Sequence, residues 1–415
     1  MSDEPAITEV YDEDDFEQYD VSPERGFLPA EDPLKYFETE HDYLAELDRL
    51  GHQLPGRLEG DELRDELRQL SPPDDGLYDR LDDQELFRMY QVSSFLASAY
   101  VHKTGAETED HIPEGVAEPL YKSTDRLNVP PILSFDAYSL HNWERDDPDG
   151  PLELGNIDTI QNFVSMDDEA WFMLVHTEIE QEASDALTAI PYLQRAAAED
   201  DVETAKAALE NMERSTAEMV ETLKRMPEGN SPDVYADEDE GFRPYIEGFD
   251  GVEFQGVDEL DGPQDFRGET GAQSSILPAL DAALDISHDT NVLTKHIDDM
   301  RDYMPEGHRN YVAAIEDGPG VREFIDGTDD EELEDLYNGT LENIYAFREI
   351  HLTYAVEYIL EKVGDEIGTG GTDFVQFLGD LKRETGKNAF ADDPEAMMEQ
   401  GIKMMLEREK ESQRL

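Results

Sequence analysis

The stretch Asn343–Val363, NIYAFREIHLTYAVEYILEKV, decides how the chain is read. Ile344, Phe347, His351, Tyr354 and Tyr358 recur at steps of three and four residues, so in a helix they share one face. Glu349, Thr353, Glu357 and Glu361 fall mostly elsewhere. The spacing predicts a helix with a buried stripe and an imidazole at its middle. A lone imidazole among apolar neighbours needs a partner, because an unpaired polar group in a core is costly. A backbone hydrogen bond meets that need in an ordinary core, and a metal meets it in a cofactor site. The helix alone leaves both readings open.

The chain around it has 415 residues, enough for a sizeable core and more than one domain. Hydrophobic residues make up 38% and glycine adds 29 residues, the usual apolar share of a folded protein, despite a formal charge of −71. The 103 acidic residues are spread over every segment rather than gathered in a tail. Such a surface repels itself at low ionic strength and is best screened in molar salt, where the Debye length shrinks to about 3 Å. The expected setting is the cytoplasm of an extreme halophile. The acidic excess argues against nucleic acid and anionic membranes as partners. With no cysteine, disulfides, Fe–S clusters, thiolate-ligated haem and thiol nucleophiles are excluded, and any metal must use histidine or carboxylates. No stretch reaches the length of a membrane span, and the acidic start MSDEPAITEVYDEDD is unlike a signal peptide, so a soluble cytoplasmic protein is expected.

Strand patterns are weak throughout, and the expected class is all-α. A small helical domain over 1–125 holds its strongest helix at 80–103. A larger helical domain spans 126–388, and a helical tail spans 389–415. Residues 1–20 are expected to be loose. The segment 165–190 is expected as one helix with Ser165 as N-cap. A further helix over 201–226 is set off by Pro191 and the acidic turn before it, and 235–242 is expected as a charged loop. Helices are also expected near 274–284, 291–303 and 373–384.

Four other features stand out. Arg243, between Phe242 and Pro244-Tyr245, is a cation in a mostly apolar setting: either salt-bridged or a clamp, since its fork suits a carboxylate. The run Phe266–Ser275, FRGETGAQSS, is small and glycine-rich and leads into a helix, as an ordinary turn or as a loop passing close to a flat ligand. Gly368–Thr372, GTGGT, lacks the lysine of a phosphate loop and is either a plain loop or one that closes over a site. His176 lies on the apolar face of Phe172, Val175, Ile179 and Ala183, a second histidine on a buried helix.

Together these residues resemble the indoleamine 2,3-dioxygenase family, within the tryptophan 2,3-dioxygenase superfamily. The similarity starts at ERGFLP (24–29) with DPL (32–34), and resumes at PPIL (130–133), NW (142–143) and DP (147–148). It is densest from Arg243 to Thr372, through GETGAQSSILPALDAAL (268–284), MRDYMPEGHRNYV (300–312), VREF (321–324), FREIH (347–351) and GTGGTDF (368–374). The resemblance implies a helical fold enclosing haem b, with His351 as its iron ligand. Arg348, Asp281, Thr270 and Gly268 are implied on the haem side. Arg243 falls on the residue that binds the amino-acid carboxylate, and Thr369 on a loop threonine that helps fix the substrate. Phe135, Phe172 and Tyr235 fall in the pocket. The acidic insertion after Tyr235 departs from the family. So does His176, which replaces a serine of the animal enzymes with the distal histidine typical of tryptophan 2,3-dioxygenases. The implied activity is haem-dependent cleavage of the indole C2–C3 bond of L-tryptophan by O2, giving N-formylkynurenine in the kynurenine pathway. The alternatives are oxygenation of another indole or aromatic amino acid, or a haem-binding module without catalysis.

Overall fold

The structure, a computed structural model, describes residues 7–10, 13–38, 41–58, 60, 62–237, 241–288, 291–363 and 373–412. The protein is all-α with minor strands. Helix α1 (Asp83–Val101) opens on a capping box: the Asp82 carboxylate accepts from Glu85 N at 2.9 Å, and Glu85 accepts from Asp82 N at 3.2 Å. It is buried from Arg88 to Val101 and forms the spine of one hydrophobic cluster.

Helices α2 (Asp167–Glu182), α3 (Ser184–Glu199) and α4 (Val202–Lys224) follow one another and pack as neighbours. Asp200, in the left-handed region at φ 57°, makes the turn between α3 and α4. The Asp201 side chain then caps α4 by accepting from Thr204 N at 3.2 Å. Helix α5 (Ile276–Ala283) is short and mostly apolar. Helix α6 (Glu331–Ala355) starts at Asp330, whose carboxylate accepts from Leu333 N at 3.0 Å, and lies against α4 and against α7 (Phe374–Lys387).

A three-stranded sheet supports the glycine-rich loop. Strand β1 (His111–Ile112) runs parallel to β2 (Phe249–Phe254), which is antiparallel to β3 (Gln264–Phe266). Pairing of Phe249 with Phe266 fixes the point from which that loop departs.

Several elements differ from the sequence expectation. The helix expected at 165–190 is two helices broken at Ala183, and it starts at Asp167 with Met166 as N-cap and no side-chain cap bond. Pro191 lies inside α3 instead of ending a helix. Its missing N–H frees the carbonyl of Leu187, and the Tyr311 hydroxyl donates to that oxygen at 2.7 Å. Pro119, inside the helix Glu114–Leu127, is accommodated in the same way: the Tyr43 hydroxyl donates to the freed Gly115 carbonyl at 2.9 Å. Tertiary hydroxyls thus offset what a local reading counts as breakage. The N-terminal stretch is not loose where it is described, since Ile7, Val10, Phe16 and Tyr19 are buried in one core cluster with Tyr311. The helix of His351 begins at Glu331. It widens into a π-helical turn at Val356–Leu360, where the Tyr358 hydroxyl donates to Asn230 O at 2.7 Å.

Candidate active site

Helices α2, α5, α6 and α7 and the loop after β3 enclose a cavity of about 540 Å³. From α6 come Phe347, Arg348, His351 and Tyr354, and from the π-helical turn that continues it Tyr358, as the stripe at 344–358 requires. From α2 come Phe172, His176 and Glu180, four residues apart and therefore one above another. Phe135, Tyr235, Glu269, Thr270 and Asp281 complete the part relevant here.

The two histidines differ in how they are held. Nδ1 of His176 lies 2.7 Å from Phe172 O, and a carbonyl can only accept, so Nδ1 carries the proton and Nε2 is left with a lone pair. Phe172 packs on the imidazole with ring centroids 4.6 Å apart, and Phe135 meets it edge-on at 5.8 Å. Burial lowers the His176 pKa against the small opposing pull of that hydrogen bond, which keeps the ring neutral. His351 makes no hydrogen bond to a described residue. Burial, with a smaller contribution from His176, pushes it down to about 4. It is a neutral imidazole on the cavity wall whose lone pair is not taken by a described residue.

Arg348 is fully buried and donates from Nη2 to Asp281 Oδ2 at 2.6 Å and from Nη1 to the Thr385 hydroxyl. His288 bridges the same Asp281 oxygen at 2.8 Å and Glu384 Oε2 at 2.9 Å. Burial by itself would raise the Asp281 carboxyl, but Arg348 and His288 outweigh it and hold it below its ordinary value. The result is a cation presented on the cavity wall by an ionised, hydrogen-bonded support. Nε of Arg348 remains buried without a partner.

The loop after β3 is tied down from several sides. Gln273 donates to Gly268 O and accepts from Phe135 N, both at 2.9 Å. The Ser274 hydroxyl donates to Glu180 at 2.7 Å, and Tyr303 OH accepts from Arg267 N at 2.8 Å. The Thr270 hydroxyl accepts from Ala272 N at 3.4 Å.

Eight of the expected residues line this cavity: Phe135, Phe172, His176, Tyr235, Thr270, Asp281, Arg348 and His351. Gly268 does not. It is pressed against the chain at 246–248, where a Cβ would fall 2.4 Å from Ile246 O, so its bareness serves loop-to-loop contact. Arg243 stands outside the lining too. It is 12% exposed, pairs with Glu247 at 3.1 Å, and has a buried Nε without a partner. Thr369 and the rest of its loop lie outside the described residues. The sequence reading passed over Glu180, Glu269 and His288. Glu180 could have been found, because it is the next member of the stripe through Phe172 and His176. Glu269 carried the weaker signal of a single acid inside a glycine-rich loop.

The site is thus apolar, helix-walled and faced by two neutral histidines from separate helices of an all-α protein. The sequence profile of the family described as indoleamine 2,3-dioxygenase matches residues 15–366. Indoleamine 2,3-dioxygenase 1 of Rattus norvegicus is 30% identical over 399 residues, covering 89% of this chain and 95% of the rat protein. Indoleamine 2,3-dioxygenase 2 of Homo sapiens is 27% identical, covering 89% and 94%, and the Saccharomyces cerevisiae indoleamine 2,3-dioxygenase is 26% identical, covering 89% and 92%. The chain belongs to the indoleamine 2,3-dioxygenase family.

The residues present fit the haem that this family implies. Among the described residues, no three His, Asp or Glu side chains group so as to hold a metal ion by themselves. An iron on His351 would bring its other ligands with it, as a porphyrin does. His351 offers the lone pair, the cavity offers apolar walls, and Arg348 offers a buried cation for an acidic edge. Among the described residues, no helix is long and apolar enough to cross a membrane.

Proposed function

We propose that the protein holds haem b on His351 and cleaves the indole C2–C3 bond of L-tryptophan with O2, giving N-formylkynurenine. The observation that carries this reading is the pair of neutral histidines facing one apolar cavity, one making no hydrogen bond to a described residue and the other with its proton tied back to Phe172. When bound, the haem supplies a single-histidine iron at which O2 is taken up and activated. Both oxygen atoms enter the product, so the reaction needs no external reductant.

The chain's own contribution is orientation and dryness. Phe135 and Phe172 flank His176 and form an apolar slot for an indole. The Nε2 lone pair of His176 is free to accept the indole N–H and hold the ring in one pose. Arg348, anchored by Asp281, would answer a haem propionate. Arg243 would take the substrate carboxylate after leaving Glu247. That exchange costs little, because Glu247 is 44% exposed and such pairs contribute about 0–1 kcal/mol. The orphan Nε of Arg243 supports a role for a ligand there. Thr369 would close the site.

Incubation of haem-loaded protein with L-tryptophan under ¹⁸O₂, followed by mass analysis, tests the proposal. Two labelled atoms in a formylkynurenine product are expected. A singly oxygenated product would place the enzyme among oxygenases of other outcome, and protein without a Soret band would remove the haem reading altogether.

A further inference from the structure

Glu269 is the single acid in the loop 266–272. It is held in place by its backbone: its N–H donates to Ile246 O at 3.0 Å, and the neighbouring Gly268 is in close contact with that same carbonyl. This docks Glu269 directly against the 3-10 helix Arg243–Ile246. Its side chain is 3% exposed and lines the cavity.

The surroundings of Tyr235 give its location more closely. Tyr235 lies 5.6 Å from the ring of Phe172, which itself packs 4.6 Å from His176. Burial raises the Tyr235 phenol. Beyond burial, Arg243 pulls it down and Glu269 pushes it up, so charges of opposite sign act on the same hydroxyl. Glu269 acts in the same direction on Tyr138, below burial and Glu169 in effect. Along this wall the order is His176, Phe172 and Tyr235; the Tyr235 phenol then feels both Glu269, which lines the cavity, and Arg243, which stands outside the lining. An aromatic ring seated against the first three has a cation and an acid near its other end.

Burial raises the Glu269 carboxyl to about 8, a cost that an arriving cation removes. We propose that Glu269 receives the α-ammonium of the substrate while Arg243 takes its carboxylate, so that the site selects zwitterionic aromatic amino acids over their deaminated analogues. The assignment rests on the reading of the substrate as an aromatic amino acid, but not on its being an indole.

Calorimetric titration of the haem-loaded protein tests it with two pairs of ligands: L-tryptophan against indole-3-propionate, and L-phenylalanine against 3-phenylpropionate. A charge-assisted hydrogen bond from the ammonium gives the parent a preference of about 10- to 100-fold for the amine in each pair it binds. Glu269→Gln should abolish most of that preference by weakening the amino acid and leaving the deaminated partner unchanged, whereas Glu269→Asp should keep part of it. Equal weakening of both members of a pair would mark Glu269 as structural and overturn the assignment, as would a full preference surviving in Glu269→Gln. The parent alone can also overturn it, by binding both members of both pairs equally. Binding of only the phenylalanine pair, with its preference lost in Glu269→Gln, would sink the indole substrate and uphold Glu269. Turnover of tryptophan with its preference undiminished in Glu269→Gln would do the reverse.

Discussion

Replacing His176 with serine tests the distal side of the site most directly. In the folded protein the Phe172 carbonyl holds the imidazole proton at 2.7 Å, and Phe135 and Phe172 fix the ring. On the proposed reading, what the substitution removes is one neutral acceptor for the indole N–H. Such a bond is worth about 0.5–1.5 kcal/mol, so kcat/KM for tryptophan should fall about 2- to 13-fold, with haem content unchanged. For 1-methyltryptophan, which has no N–H to offer, the change should be smaller or reversed. The pH profile supplies a second measure. Only the neutral imidazole can accept, and burial holds its pKa below 6.5. In the parent, kcat/KM should therefore show an acid limb below about pH 6.5 that is absent from the serine variant. Glu180 and Glu269, the carboxyls of the same wall, are pushed up to about 8, so any limb they add lies at higher pH and persists in the serine variant. His351, down to about 4, would be engaged by iron in the loaded enzyme on the proposed reading. An unchanged ratio of the two substrates together with an unchanged acid limb would refute the role of His176.

His351→Ala should give folded protein that purifies with little haem; a normal Soret band per mole of protein would exclude His351 as the ligand. Arg243→Lys keeps the charge but loses the fork, and should lower kcat/KM for tryptophan about 30- to 150-fold at unchanged haem content, as read by steady-state kinetics on tryptophan and tryptamine. Tyr311→Phe leaves the Leu187 carbonyl unmet and should cost about 1–3 kcal/mol in denaturant unfolding, with kcat/KM unaltered. With a formal charge of −71, the melting temperature should rise steeply between about 0.1 M and 3 M KCl; a salt-independent melt would remove the halophilic reading.

Helical stripes were the legible part of the sequence. Residues at 347, 351, 354 and 358 reach one cavity because a helix converts spacing into direction, and the same holds for 172, 176 and 180. Loops make no such conversion. Gly268 and Arg243 stand in the right segments, yet neither is on the cavity wall, because where a loop residue points is settled by contacts such as Ile246 O against Gly268. Pro119 and Pro191 misled for a related reason. Their freed carbonyls are satisfied by tyrosines far away in sequence, which no local rule can see. The break at Ala183 carries neither glycine nor proline and had no local signal.

The buried polar groups at the cavity bear on how the fold and the ligand depend on each other. Buried polar atoms without partners occur elsewhere too, Gln161 Oε1 and Gln194 Oε1 among them. Around the cavity several are left over: Glu180 Oε2, Asp281 Oδ1, Arg301 Nε and Arg348 Nε are buried without partners, and His351 makes no hydrogen bond to a described residue. Each unmet group of this kind costs about 1–3 kcal/mol, and the protein as a whole has only about 5–15 kcal/mol of net stability to set against such losses. A group that binds the native state alone recovers part of that cost and stabilises the fold by mass action. The empty protein should therefore be the weaker folder, and the loss from His351→Ala should appear as lowered thermal stability only in preparations where the parent carries its haem. In haem-free protein the same substitution removes a buried imidazole that nothing satisfies, so its effect on stability should shrink or change sign.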